Sequence, residues 1–162
     1  MKQRILIGWL QDAHLMETRS LPMLRRRVGD EPLGLDARTR RESHVRETEQ
    51  HSERLRQALR ALGSAPLPVL RTSEPVVVLT HDITSRVFSD RLVASAIADL
   101  AAKQFEIAAY TALIAAAEHA GEAEVARLCR LNRGEDEDMA EWLDAQIPLV
   151  IARTLAHAAA TR

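Results

Sequence analysis

Glycine and proline punctuation cuts this chain into four helix-length stretches of similar span, and nothing else in the sequence limits the fold as strongly. Gly29 followed by Pro32 closes the first stretch, Gly63-Ser64 with Pro66 and Pro68 closes the second, Gly121 parts the third from the fourth, and Pro148 ends the fourth. Between these stops the residues are largely Ala, Leu, Glu and Arg, all strong helix formers, with apolar positions three and four apart. The expected helices cover residues 2–28, 36–62, 90–119 and 122–147, with a short fifth helix in the Ala-rich segment 148–162. Asp36, preceded by Leu35, is the expected N-cap of the second helix. At 1.5 Å per residue each of the four spans roughly 40–45 Å.

The connections set the topology. The first two helices are joined by a short loop and the last two by a tight turn at Gly121, so each pair is expected to be antiparallel. Residues 63–89 are different: they hold Pro66, Pro68 and Pro75 and the run Val76-Val77-Val78-Leu79. A lone strand there would have no partner, so an extended crossover along the bundle is the expectation. Such a crossover lets the third helix run parallel to the second. The fold class is therefore all-α, a single domain over 1–162, in the single-crossover four-helix topology of ferritin-like folds.

Charge and cysteine content narrow the function. A net charge of -1, from 22 basic and 23 acidic residues, gives no global attraction to nucleic acid or to a membrane surface. A single cysteine, Cys129, leaves no internal disulfide framework and points to a reducing compartment. The opening MKQRILIGWLQDAH has no long apolar region, so no signal peptide is read, no stretch has the apolar length of a membrane span, and a cytoplasmic location is expected.

The chemistry lies in polar residues on faces that should be buried. The inward stripe of the first helix reads Leu10, Ala13, His14, Glu17, Leu21, Leu24, and that of the second His44, Glu47, Thr48, His51, Leu55, Ala58, Leu59, Leu62. The third carries Leu92, Ala96, Lys103, Glu106, Tyr110, Leu113, Ala117, and the fourth Val125, Leu128, Leu131, Glu135, then Asp138, which shares the side of Glu135, or Met139, and Trp142. One such carboxylate alone means little. Four at mid-length, one per helix, can meet at one level, and buried carboxylates must be paired or bound to metal. Carboxylate oxygen and imidazole together suit iron, manganese and zinc. The candidate ligands are Glu17, Glu47, His51, Glu106, Glu135 and Asp138, with His44 and His14 as further candidates. Asp12, Thr48, Gln50, Lys103 and Gln104 are placed around them, and Tyr110, one turn beyond Glu106, is the candidate redox-active or hydrogen-bonding neighbour. Arg25-Arg26-Arg27 with Arg38, Arg40 and Arg41 form a basic patch at one end, read first as solvated helix ends and second as an anion-binding surface.

The segments WLQDAHLME (9–17), HVRETEQH (44–51), FEIAAYTALIAAAEHAG (105–121) and EDEDMAEWL (135–143) resemble the YciE/YciF-like branch of the ferritin-like superfamily, over nearly the whole chain. The resemblance implies a bundle, often a homodimer, with a di-metal centre of two iron ions and a ferroxidase activity linked to stress responses. It implies Glu17, Glu47, Glu106 and Glu135 as ligands, helped by His51 or His44. This chain departs from the pattern at Lys103, where related sequences often carry a further acid, at Asp138, where many sites use a histidine, and in the four-residue Glu47–His51 spacing. Lys103 motivates a second reading, a metal-free stress or interaction bundle whose polar core groups pair with one another.

Overall fold

A computed structural model of the chain describes residues 1–29, 35–68 and 76–160. The described residues form five helices: α1 (Lys2–Gly29), α2 (Leu35–Ala61), α3 (Val76–Val87), α4 (Arg91–Ala120) and α5 (Ala123–Ala160). Among the described residues there is no strand. The expected all-α bundle forms. Helix α1 packs on α2 and α4, and α5 packs on the same two, so the long helices make a ring in the order α1, α2, α5, α4. Helix α3 lies outside the ring against α4 and α1.

Local signals explain the helix ends. Asp90 caps α4, its Oδ1 accepting from the backbone N–H groups of Leu92 at 2.9 Å and Val93 at 3.0 Å. Gly121 ends α4 in the left-handed region with φ 79, a conformation that costs glycine little, and the chain reverses into α5 within two residues.

Two expectations change. The crossover is not extended throughout, because Val76–Val87 is α3. A β-branched run reads as strand, but such preference is weak and yields to packing against α4. Nor does Pro148 break the last helix, since α5 continues through it to Ala160. Interior proline costs about 3 kcal/mol. The Ala- and Leu-rich turns beyond it are good helix formers, and Arg153, Thr154 and His157 share a cavity with Asp90 and Leu92, so these turns lie along the start of α4. The fifth helix is thus α3 rather than a separate C-terminal piece. Pro32 and Pro75 lie outside the described residues.

The apolar core fills the half of the ring nearest the α4–α5 turn. Leu6, Leu10, Leu55, Leu59, Leu113, Ile114, Val125, Leu128 and the buried free Cys129 form it, with Tyr110 at its inner edge. Full burial of each Leu is worth about 1.5–3 kcal/mol. This packed half holds the helices in register and fixes where the polar residues of the middle must meet.

Candidate metal centre

At mid-bundle every long helix contributes a buried polar side chain. Glu17 comes from α1, His51 from α2, Lys103, Glu106 and Tyr110 from α4, and Asn132 and Asp136 from α5. Glu17, His51, Asn132 and Asp136 are each 0% exposed. One ligand atom each from Glu17, His51 and Asp136 lie within 4.8 Å of one another. Glu17 Oε2 and Asp136 Oδ2 are buried with no hydrogen-bond partner. A buried carboxylate oxygen without a partner costs about 1–3 kcal/mol or more, and a cation held by these carboxylates would offset that cost. The donor set of two carboxylates and one imidazole therefore fits a divalent transition ion.

His51 is held from both ring nitrogens. Nδ1 lies 3.3 Å from Glu17 Oε1 and 3.9 Å from Asp136 Oδ1, and Nε2 lies 2.8 Å from Glu135 Oε2. Glu135 in turn accepts from Arg54 at 2.7 and 2.8 Å. Tyr110 Oη donates to Glu17 Oε1 at 2.5 Å and accepts from Asn132 Nδ2 at 2.9 Å, while its ring packs edge-on to His51 at 6.0 Å. Lys103 Nζ donates to Glu106 Oε2 and, at 3.0 Å, to Asp136 Oδ1. A cavity of about 20 Å³ beside His44, Lys103 and Glu106 has room for one water.

These contacts set the charges. Burial pulls His51 down, but Glu17, Glu135 and Asp136 outweigh it and raise the imidazolium to about 10. Burial raises Glu17, yet His51, Lys103 and the Tyr110 hydroxyl bring it below the ordinary carboxylate value. Burial raises Glu106 to about 8 against the pull of Lys103, and it raises Asp136. Burial and the nearby Glu17 carboxylate push the Tyr110 phenol well up, so it stays a donor.

The other expected residues fall elsewhere. Glu47 is half-buried and accepts from Arg40 at 3.0 and 3.1 Å and from Ser43, with His44 Nδ1 at 3.3 Å. Burial raises it, but His44 and Arg40 take it down to about 2. His44 is buried with no partner for Nε2, and His14 is buried with neither ring nitrogen partnered. Buried Thr48 donates to the His44 carbonyl at 2.9 Å. Asp12, Gln50, Gln104 and Asp138 are exposed. Asp12 lines a surface groove with Trp9 and Phe105, and Gln50 accepts from Arg54. The inward acid of α5 is Asp136, not Asp138. The buried residues Val125, Leu128, Cys129, Asn132, Asp136, Met139 and Leu143 show why. A stripe through Leu131 is out of phase by one residue: Leu131 is 44% exposed and the polar Asn132 takes the inside place. Asn132 and Arg54 carried no sequence signal beyond that phase. The basic patch is also largely satisfied internally: Arg25 pairs with Glu49, Arg27 and Arg41 with Asp99, Arg38 with Glu42 and Arg40 with Glu47.

His44 gives a pH prediction. Burial first, then Lys103, lowers its pKa from 6.5 to about 4, against the opposing pull of Glu47. Between pH 6.5 and 4 the unfolded chain therefore binds a proton at His44 that the folded chain does not, and stability falls as pH falls. The loss is about 3 kcal/mol at 1.36 kcal/mol per unit. Glu106 works in the opposite sense above pH 4.5, so the difference between wild type and His44→Gln isolates the imidazole. Urea denaturation at pH 7 and pH 4.5 is expected to show the variant losing less stability than wild type, and an equal loss in both would refute the assignment.

Residues 1–156 match the family model described as a domain of unknown function, DUF892. The chain belongs to the DUF892 family. Among solved structures, a Xanthomonas campestris pv. campestris protein is similar, with 27% identity, a TM-score of 0.81, and coverage of 97% of this chain and 98% of that one. YcfI of Rhodopseudomonas palustris is 24% identical with a TM-score of 0.74, over 89% of this chain and 93% of that one. The Escherichia coli stress protein YciF is 18% identical with a TM-score of 0.75, over 94% of this chain and 98% of that one. The last two likenesses speak for the fold alone. Together with membership of DUF892, they bear out the YciE/YciF-like resemblance read from the sequence. No described helix of this DUF892 protein is long and apolar enough to cross a membrane.

Proposed function

We propose that this DUF892 protein binds a divalent transition ion in the middle of its bundle and acts on Fe(II) as a ferroxidase-type oxidoreductase. The observation that carries the reading is the buried Glu17–His51–Asp136 group with its two unpartnered carboxylate oxygens. Iron is the first choice, and manganese and zinc suit the same donors. When bound, iron supplies the one-electron chemistry. For the oxidation itself, four Fe(II) and four protons convert one dioxygen to two waters and leave four Fe(III), or two Fe(II) and two protons convert one hydrogen peroxide to two waters and leave two Fe(III).

The protein's own residues have clear parts in this. His51 would present Nδ1 to the ion while Nε2–H donates to Glu135, an arrangement that fixes ring orientation and strengthens the ligand. Arg54 holds Glu135 in place, and the Tyr110 hydroxyl fixes Glu17 Oε1, leaving Oε2 for the cation. The apolar core on one side keeps bulk water from the site. The family resemblance adds a homodimer, a cytoplasmic setting and a stress response to this proposal.

The metal-free reading is favoured by one observation, the buried Lys103 bonded to both Glu106 and Asp136. Metal-free protein titrated with Fe(II), Mn(II) and Zn(II) separates the two. Binding is expected to raise the melting temperature, since a ligand at 100 times its Kd stabilises by about 2.7 kcal/mol. Fe(II) in air is expected to oxidise faster than in buffer. No binding and no thermal shift with any of the three would leave the metal-free bundle as the function.

A further inference from the structure

We infer that the centre is built for one metal ion, with the ammonium group of Lys103 fixed in the place of a second cation. This rests on the metal-binding reading above and departs from the two-ion centre that the sequence resemblance implies.

The geometry is that of a shared carboxylate. Asp136 sends Oδ1 to Lys103 Nζ at 3.0 Å and leaves Oδ2 without a hydrogen-bond partner, while the Asp136 side chain also belongs to the group that converges with Glu17 and His51. It thus stands between a cation position and an ammonium as a bridging carboxylate stands between two metals. Glu106, the expected ligand from α4, is bonded to the same ammonium. The other acids that would complete a two-ion set are matched by arginines: Glu47 by Arg40 and Glu135 by Arg54. The space adjoining Lys103 and Glu106 is water-sized.

Charge balance agrees. With a cation bound and all three carboxyls ionised, Glu17, Glu106 and Asp136 bring three negative charges and Lys103 brings one positive. One divalent ion with a neutral His51 makes the buried group neutral. Two divalent ions would leave it doubly positive, and an uncompensated buried charge is strongly disfavoured.

Co(II) is a suitable probe, because its count and its electronic state can both be read without turnover. After equilibrium dialysis of the full chain against excess Co(II), elemental analysis is expected to give one ion per chain. The EPR signal per bound ion is expected to be that of an isolated high-spin ion. Two ions per chain in the wild type, or a signal quenched by coupling between neighbours, would overturn the inference. No bound ion would overturn it together with the proposed function, a result distinct from the two-ion one. In Lys103→Met, refolded with Co(II) present, the count is expected to rise toward two, with coupling between the ions. A folded variant that stays at one ion would show that Lys103 does not hold the second position.

Discussion

Replacing Lys103 by methionine is expected to destabilise the metal-free protein by about 3–5 kcal/mol, the cost of removing one partner from a buried ion group. Methionine matches the lysine stem in length, so little packing is lost and the effect is electrostatic. The ammonium is 5% exposed as a residue and is bonded to Glu106 and Asp136, with Glu17 close enough to add to the field that raises its pKa. Without it, three carboxyl groups face one another in a buried site with only His51 to offset them. Glu106, already at about 8, can take up a proton, so the loss should be smaller near pH 6 and larger near pH 9. A second change, Glu106→Leu, should restore much of the loss, because an apolar pair of similar volume replaces the ion pair at little net cost. Urea denaturation of the chelator-treated single and double variants checks both. A loss below about 1 kcal/mol in the single variant would mean that the pair is not the main compensation for the buried acids.

Asp136→Asn is expected to weaken metal binding by more than the roughly 10–100-fold that follows loss of a group supporting a ligand. The amide keeps the shape of the side chain but removes an anionic donor and its charge. Asp138→Asn, two residues on, is expected to leave the affinity unchanged, because Asp138 points to solvent while Asp136 is 0% exposed. The two variants differ from wild type by the same atoms, so net charge alone cannot account for a contrast between them. Titration with Mn(II) or Zn(II) under identical buffer checks it. Equal weakening by both, or by neither, would remove Asp136 from the ligand set.

Much of the fold was legible in one dimension. Helix-forming composition, Gly and Pro punctuation, and one long connection determine an all-α single-crossover bundle. Local chemistry also places Asp90 and Gly121 at helix ends. The residues least legible were those where packing overrides a local rule. Val76–Leu79 reads as part of an extended crossover and becomes part of α3, and Pro148 reads as a stop and is carried through. In both cases a helix packed on α4 outweighs a local preference of a few kcal/mol or less.

The candidate centre divides along the same line. The sequence by itself determined that carboxylates and histidines would lie at mid-bundle, because Glu17, His51, Lys103, Glu106 and Tyr110 interrupt apolar faces at helical spacing, and all five are buried. It could not decide which of them meet. That choice depends on helix rotation, which a shift of one residue changes by about 100°, and on which acids find an arginine from a neighbouring helix. Tertiary structure turned Asp136 inward instead of Asp138, tied Glu47 to Arg40 and Glu135 to Arg54, and set Lys103 between Glu106 and Asp136. Spacing along one helix fixes the face a residue occupies, whereas charge compensation between helices is settled only when the four are packed together.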